Sequence, residues 1–323
     1  MNIPQYKIPD RTVVIILGPT GVGKTGLSIL LARALKTEII SADSMLVYRH
    51  MDIGTAKPSS QELTEVPHHL INILEPYEKF SAGLFKEKAS AIIKSLHDRN
   101  KIPLIVGGTG LYIRSLTAGL FEGPGADELL REQLKEKEKQ HGKGYLYEKL
   151  KAVDPEAASK IEEGDLRRIV RALEVSLKTQ EGISAIQQGS TQPLDCHFIK
   201  IGLSRDRKEL YSLIEGRVDK MMNDGLLNEA RRLLTMNPGK TAMQALGYKE
   251  MAMHLDGDVD LNEAVRLTKK RTKNYAKRQY TWFRKEPDIH WVDITGIMKA
   301  REIFEKTINH IEIIKKLIYS NVC

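Results

Sequence analysis

The chain has 323 residues, with 50 Lys and Arg against 42 Asp and Glu, giving a formal net charge of +8 at neutral pH. That length can bury a substantial core and allows two domains on a soft prior of about 150 residues each. The basic balance favours an acidic partner; two cysteines, Cys196 and Cys323, with no partner at ligand spacing argue against a zinc site or a disulfide framework, and the absence of a long apolar run argues against a transmembrane helix.

Residues Met1–Asp10 lack an apolar stretch of signal-peptide length, so a cytoplasmic protein is expected. The apolar run Thr12–Leu17 reads as a strand, and it leads directly into Gly18, Pro19, Thr20, Gly21, Val22, Gly23, Lys24 and Thr25, which match G-x-x-x-x-G-K-[ST]. Leu27, Ile29, Leu30, Leu31 and Ala34 then read as a helix. Strand, loop and helix start come in the order a phosphate cradle requires. The glycines let backbone N–H groups turn inward around phosphate oxygens, Lys24 adds a point charge, and Thr25 can offer its hydroxyl to Mg²⁺.

A second strand, Glu38–Ala42, ends at Asp43-Ser44. Asp43 either takes part in substrate chemistry at the carboxyl edge of a doubly wound sheet or caps the turn that follows. The strand Ile102–Val106 runs into Gly107-Gly108-Thr109-Gly110-Leu111-Tyr112 with no carboxylate at its end. Motor and switch NTPases need an Asp there for Mg²⁺, so those readings weaken. After the Gly- and Pro-containing stretch 119–125 the strand signals stop. From Asp127 to about Ile186 the spacing is helical, interrupted at His141-Gly142-Lys143-Gly144 and Asp154-Pro155. Strand character resumes at His197–Leu203. The pattern predicts an α/β fold, a P-loop parallel sheet core with an inserted all-helical domain: core residues 1–120, insertion 121–195, core 196–323.

Further on, Ile214–Met221 reads as a helical stretch containing Arg217. Lys269–Lys285 holds eight basic residues, four aromatics and no acid. That composition suits phosphate contacts with stacking nearby, yet Ala276, Tyr280 and Phe283 at helical spacing equally suit a core stripe with a solvated lysine face.

The run Asp43-Ser44-Met45-Leu46-Val47-Tyr48, continued by Met51-Asp52-Ile53-Gly54-Thr55-Ala56-Lys57-Pro58, Pro67-His68-His69, Gly107–Tyr112 and the P-loop, resembles the tRNA dimethylallyltransferase (tRNA isopentenyltransferase) family over nearly the whole chain. Many members carry Gln where this chain has Leu46 and Ala-Ser where it has Gly21-Val22. The resemblance implies that the loop holds the diphosphate of dimethylallyl diphosphate and that the five-carbon group moves to the exocyclic amine of the adenosine 3′ of the anticodon. It implies Asp43 as general base, with Lys24, Thr25 with Mg²⁺, and Arg217 as diphosphate partners, and Thr109 near the target base.

For RNA, it implies contacts at Asp43, Ser44, Met45 and Leu46, at Thr109 and Arg131, and at Arg167, Arg168, Ile169, Val170 and Arg171. Further contacts are implied at Gly247, Tyr248 and Lys249 and at Lys277, Arg278, Gln279, Trp282 and Arg284, with the insertion gripping the anticodon stem-loop of tRNA; a monomer is expected. No metal is assigned to His68 and His69. The principal rival is a P-loop nucleotide or small-molecule kinase, in which the insertion arginines would form a lid.

Overall fold

The computed structural model describes residues 10–121, 123–189 and 191–320. Cys323 and the stretch Met1–Pro9 lie outside them. In chain order the first elements are β1 (Thr12–Leu17), α1 (Lys24–Ala34), β2 (Ile39–Ala42), α2 (Ser60–Glu65), β3 (His68–His69), α3 (Ala82–Asp98), β4 (Leu104–Gly107) and α4 (Gly110–Thr117). Five helices follow: α5 (Glu128–His141), α6 (Tyr145–Val153), α7 (Pro155–Lys160), α8 (Leu166–Thr179) and α9 (Ile183–Gly189). The chain then forms β5 (His197–Ser204), α10 (Arg207–Asn223), α11 (Leu226–Thr235), α12 (Tyr248–Leu255), α13 (Leu261–Phe283), β6 (Ile289–Asp293), α14 (Ala300–His310) and α15 (Glu312–Ser320).

All six strands are parallel, in the order β3-β2-β4-β1-β5-β6. Every residue of β1 is buried, which is why it reads as an unbroken Thr-Val-Val-Ile-Ile-Leu run and not as an alternation. The register aligns Ala42, Gly107, Leu17 and Gly202 across four neighbouring strands. Asp43, Gly108 and Gly18, which leave the sheet at this level, therefore emerge side by side, next to Leu203 near the end of β5. Gly107 permits the closeness, because a Cβ there would sit 2.1 Å from the Ala42 carbonyl oxygen.

The opposite edge is pinned by one carboxylate. Glu38, just ahead of β2, accepts from Arg99 Nη1 at 2.6 Å and Lys101 Nζ at 2.8 Å, and its other oxygen lies 2.8 Å from His69 Nε2 in β3. The Arg99 bond, with those of Lys101 and His69, outweighs burial and holds the Glu38 carboxyl at about 2. His68 turns to the Val66 carbonyl at 2.7 Å. Neither β3 nor β6 carries a periodicity legible in the sequence; β3 is two residues long, and β6, Ile-His-Trp-Val-Asp, buries only Val292 fully.

The chain divides into two compact units, residues 1–113 with 195–323, and residues 114–194. The second unit begins at 114, within α4, where the composition shift had suggested 121. Its core gathers Leu134, Leu146, Leu150, Ile169, Val170 and Leu173. Its helical interruptions have local causes. Gly142 and Gly144 adopt φ of 94° and 96°, which side-chain-bearing residues resist, and Asp154 caps α7 through the Ala157 amide at 2.9 Å ahead of Pro155.

Candidate active site at the carboxyl edge of the sheet

The Gly18–Thr25 loop joins β1 to α1. Gly18, Gly21 and Gly23 have φ of 149°, 79° and 114°, and a Cβ on Gly18 would meet the Leu203 carbonyl oxygen at 2.9 Å. The loop is braced from the residue that follows β5: Arg205 donates through Nε to the Val22 carbonyl at 3.0 Å. Lys24 Nζ lies over the loop and donates to the carbonyls of Gly18 at 2.9 Å and Pro19 at 2.8 Å. Burial lowers its pKa to about 8, with Asp43 opposing the shift and Arg217 adding to it. Thr25 is exposed in the first turn of α1.

Asp43 and Thr109 leave the ends of neighbouring strands and are tied together. The Thr109 amide donates to the Ala42 carbonyl at 3.1 Å, and Thr109 Oγ1 accepts from the Ser44 amide at 3.1 Å. Asp43 Oδ1 accepts from the Met45 amide at 2.8 Å. The turn-capping reading of Asp43 thus describes one of its oxygens, and it fixes the carboxylate in place. Arg217, on α10, reaches the Thr55 carbonyl at 3.4 Å. Desolvation lowers its pKa and the Asp43 charge raises it. Asp43, Lys24 and Arg217 form one electrostatic cluster, a carboxylate beside two cations.

Two tyrosines complete the surroundings. Burial, with a contribution from the Asp43 charge, pushes the phenols of Tyr275 and Tyr112 above their ordinary range. Tyr275 also bonds Thr109. Tyr112 stacks on Phe85 with centroids 4.3 Å apart and meets Phe80 edge-on at 6.0 Å. In the sequence Tyr275 stands out only as one aromatic of a basic stretch. A usable signal was its i, i+4 spacing to Gln279 on the same helix.

Gln279 differs from its sequence expectation. Its amide is buried, with Oε1 accepting from the Thr20 amide and Nε2 donating to the Gly108 carbonyl, both at 2.9 Å. It therefore bridges the P-loop and the β4 turn, with both ends of its amide taken up by the protein's own backbone. Four more residues expected at the RNA are buried in the protein itself. Ile169 and Val170 belong to the core of the second unit. Gly247 is buried, and Tyr248 is fully buried with its hydroxyl on Glu229.

Other expected contacts keep surface. Arg167, Arg168, Lys249, Lys277, Arg278 and Arg284 are exposed, and Ser44, Met45 and Leu46 are half-buried. Half-buried Trp282 packs against Gly110, where a Cβ would sit 2.2 Å from the indole. Within the second unit, fully buried Glu174 accepts from Arg131 Nε and Nη2 at 2.9 Å and from Arg171 Nη1 at 2.6 Å. Both arginines remain partly exposed.

Known proteins can be set beside this geometry. Residues 46–286 match the family model described as IPP transferase, and residues 11–78 match one described as isopentenyl transferase. The tRNA dimethylallyltransferase of Thermodesulfovibrio yellowstonii is 54% identical over 88% of this chain and 93% of its own. That of Carboxydothermus hydrogenoformans is 48% identical over 93% and 97%. The chain belongs to the tRNA dimethylallyltransferase family. It is an enzyme of the transferase class. Among solved structures, the tRNA isopentenylpyrophosphate transferase of Bacillus halodurans is 39% identical with a TM-score of 0.68, covering 97% of this chain and 98% of that one. A eukaryotic dimethylallyltransferase captured acting on tRNA is 31% identical with a TM-score of 0.77, covering 91% of this chain and 77% of its own.

Proposed function

We propose that the protein transfers a dimethylallyl group from dimethylallyl diphosphate to the N6 amine of the adenosine 3′ of the anticodon in tRNA, releasing diphosphate. The observation that carries the reading is the Asp43 carboxylate within electrostatic reach of both Lys24 and Arg217, in a chain belonging to this family. The adenine amine is a weak nucleophile because its lone pair is delocalised into the ring. As that pair forms the C–N bond, Asp43 takes the N6 proton, an assistance worth roughly 10²–10⁴-fold. The allylic C–O bond breaks with its electrons going to the diphosphate, and Lys24, Arg217 and the loop amides meet the charge that gathers there. Thr109 holds the Asp43 turn.

Magnesium fits this donor set. Among the described residues no group of three or more His, Cys, Asp or Glu could hold a metal, so a hard cation would take the exposed Thr25 hydroxyl and diphosphate oxygens, the few-ligand arrangement Mg²⁺ favours. When bound, it would neutralise charge on the leaving diphosphate. The kinase reading loses its ground because the family resemblance extends well beyond the P-loop. The exposed Lys277, Arg278 and Arg284, and Arg167 and Arg168 on the insertion, are the side chains we assign to tRNA phosphates; such contacts offset the few kcal/mol needed to extrude a stacked base. We expect a cytoplasmic monomer, and among the described residues no helix is long and apolar enough to cross a membrane.

The test incubates the purified protein and Mg²⁺ with labelled dimethylallyl diphosphate and unmodified tRNA. Label on the adenosine 3′ of the anticodon supports the reading. No label, with ATP consumed against a small acceptor, returns the chain to the kinase class.

A further inference from the structure

Glu229 is an acid with almost no exposure, 4%, on α11, a helix to which the reaction assigns no part. Its carboxylate accepts from three successive backbone amides of another segment. Oε2 takes Asp52 N at 3.0 Å, both oxygens take Ile53 N at 2.9 and 3.0 Å, and Oε1 takes Gly54 N at 3.1 Å. Consecutive N–H groups converging on one point form an anion nest, and here the chain supplies its own anion. Tyr248 completes the arrangement: its hydroxyl donates to Glu229 and accepts from Gly54 N at 3.2 Å. Burial, reinforced by the Glu229 charge, keeps that phenol protonated far above its usual range. A Cβ on Gly54 would lie 2.4 Å from the Tyr248 ring, so the glycine is what lets loop and ring meet.

The segment so held leads to the site. Thr55, next to Gly54, gives its carbonyl to Arg217 and its hydroxyl to the Met51 carbonyl at 2.6 Å. Lys57, nearly sealed, ties the same loop back to the Tyr48 carbonyl at 2.8 Å and to Asn72 Oδ1 at 2.5 Å. We propose that Glu229 is a positioning residue for the transfer reaction: by filling the nest of Asp52–Gly54 it sets the Thr55 carbonyl that holds Arg217 in place for the diphosphate. This rests on the diphosphate role of Arg217 proposed above.

The test measures the dissociation constant of inorganic diphosphate, so it reads out without turnover. Glu229→Gln puts an amide N–H against the nest and is expected to weaken diphosphate binding about tenfold and to raise KM for the allyl donor similarly, while the tRNA dissociation constant stays within about twofold. In an Arg217→Ala background the same substitution should change diphosphate binding by less than about twofold, since two residues acting through one contact are non-additive. Tyr248→Phe, which keeps the ring and removes one donor, should show a smaller effect in the same direction and provides the measurement if Glu229→Gln does not fold. Equal effects in both Arg217 backgrounds would overturn the inference, as would a lowered unfolding temperature with diphosphate binding unchanged, or an Arg217→Ala variant that binds diphosphate normally. If the wild-type protein transfers no label to tRNA yet the coupling is found, the positioning stands and the assigned reaction fails.

Discussion

Gln279 donates its side-chain amide to the Gly108 carbonyl at 2.9 Å from a helix more than 170 residues further along the chain. Because the same side chain also accepts from Thr20, it spans the P-loop and the turn that carries Thr109. Gln279→Glu places a carboxylate against the Gly108 carbonyl, leaving a buried acceptor without its donor at about 1–3 kcal/mol. The expected result is a drop of about 10- to 100-fold in kcat/KM with tRNA affinity retained. Steady-state kinetics together with tRNA filter binding check it, and a loss confined to tRNA affinity would return Gln279 to the RNA surface.

Asp43 has two jobs that one pair of substitutions separates. Asp43→Asn keeps an oxygen to accept the Met45 amide but cannot take a proton, whereas Asp43→Ala loses both. Each should lower single-turnover transfer by at least about 10²-fold, the worth of a positioned base, and only Asp43→Ala should also loosen the turn. Rapid-quench transfer rates beside thermal unfolding decide between them. A fully active Asp43→Asn enzyme would remove the base from the mechanism.

The sheet was legible where hydrophobic runs are unbroken, as in Thr12–Leu17, and the P-loop where spacing is fixed. What escaped was pairing that depends on third parties. Nothing local distinguishes Gln279, which faces the P-loop, from Arg278 beside it, which is exposed; helix phase against the sheet decides. Ile169 and Val170 are flanked by arginines in a segment expected at the RNA, yet their apolar side chains fill the core of the second unit. Glu229 carries no motif at all, and its importance comes from amides lying 175 and more residues earlier.

The exposed cations of α13 should act on tRNA through charge. Substituting Lys277 or Arg278 by Ala should weaken tRNA binding and reduce the slope of log K against log salt by about one per contact, leaving KM for the allyl donor unchanged. Binding titrations between low and moderate salt measure it. An unchanged slope would assign these residues to a solvated face.

Glu38 makes stability pH-dependent in a defined window. Its carboxyl falls from 4.5 to about 2 on folding, so its contribution is fully present above about 4.5 and is lost as pH falls toward 2. That contribution is up to about 3 kcal/mol. Glu38→Gln should therefore be less stable than wild type at pH 7, by about 2–3 kcal/mol with its two cations left unpaired. The gap should shrink at pH 3. Urea unfolding at the two pH values tests this, and a gap that is constant with pH would show that Glu38 acts through packing alone.

Lys24 offers the complementary test at alkaline pH. Burial holds its pKa near 8 against an ordinary 10.5, so above that value the neutral amine lies over the loop carbonyls. A diphosphate bound in the cradle brings negative charge beside it and raises the pKa again. Between about 8 and the raised value, binding must then draw a proton from solution, and affinity must fall as pH rises. Calorimetric titration of inorganic diphosphate in buffers of differing ionisation enthalpy counts that proton. At pH 9 the wild type should take up as much as about one more proton than Lys24→Met, and at pH 6.5 the two should agree. Subtracting the variant removes the ligand's own protonation. Equal uptake at pH 9 would mean that Lys24 is already charged before the diphosphate arrives, and that the Asp43 carboxylate compensates its burial in full.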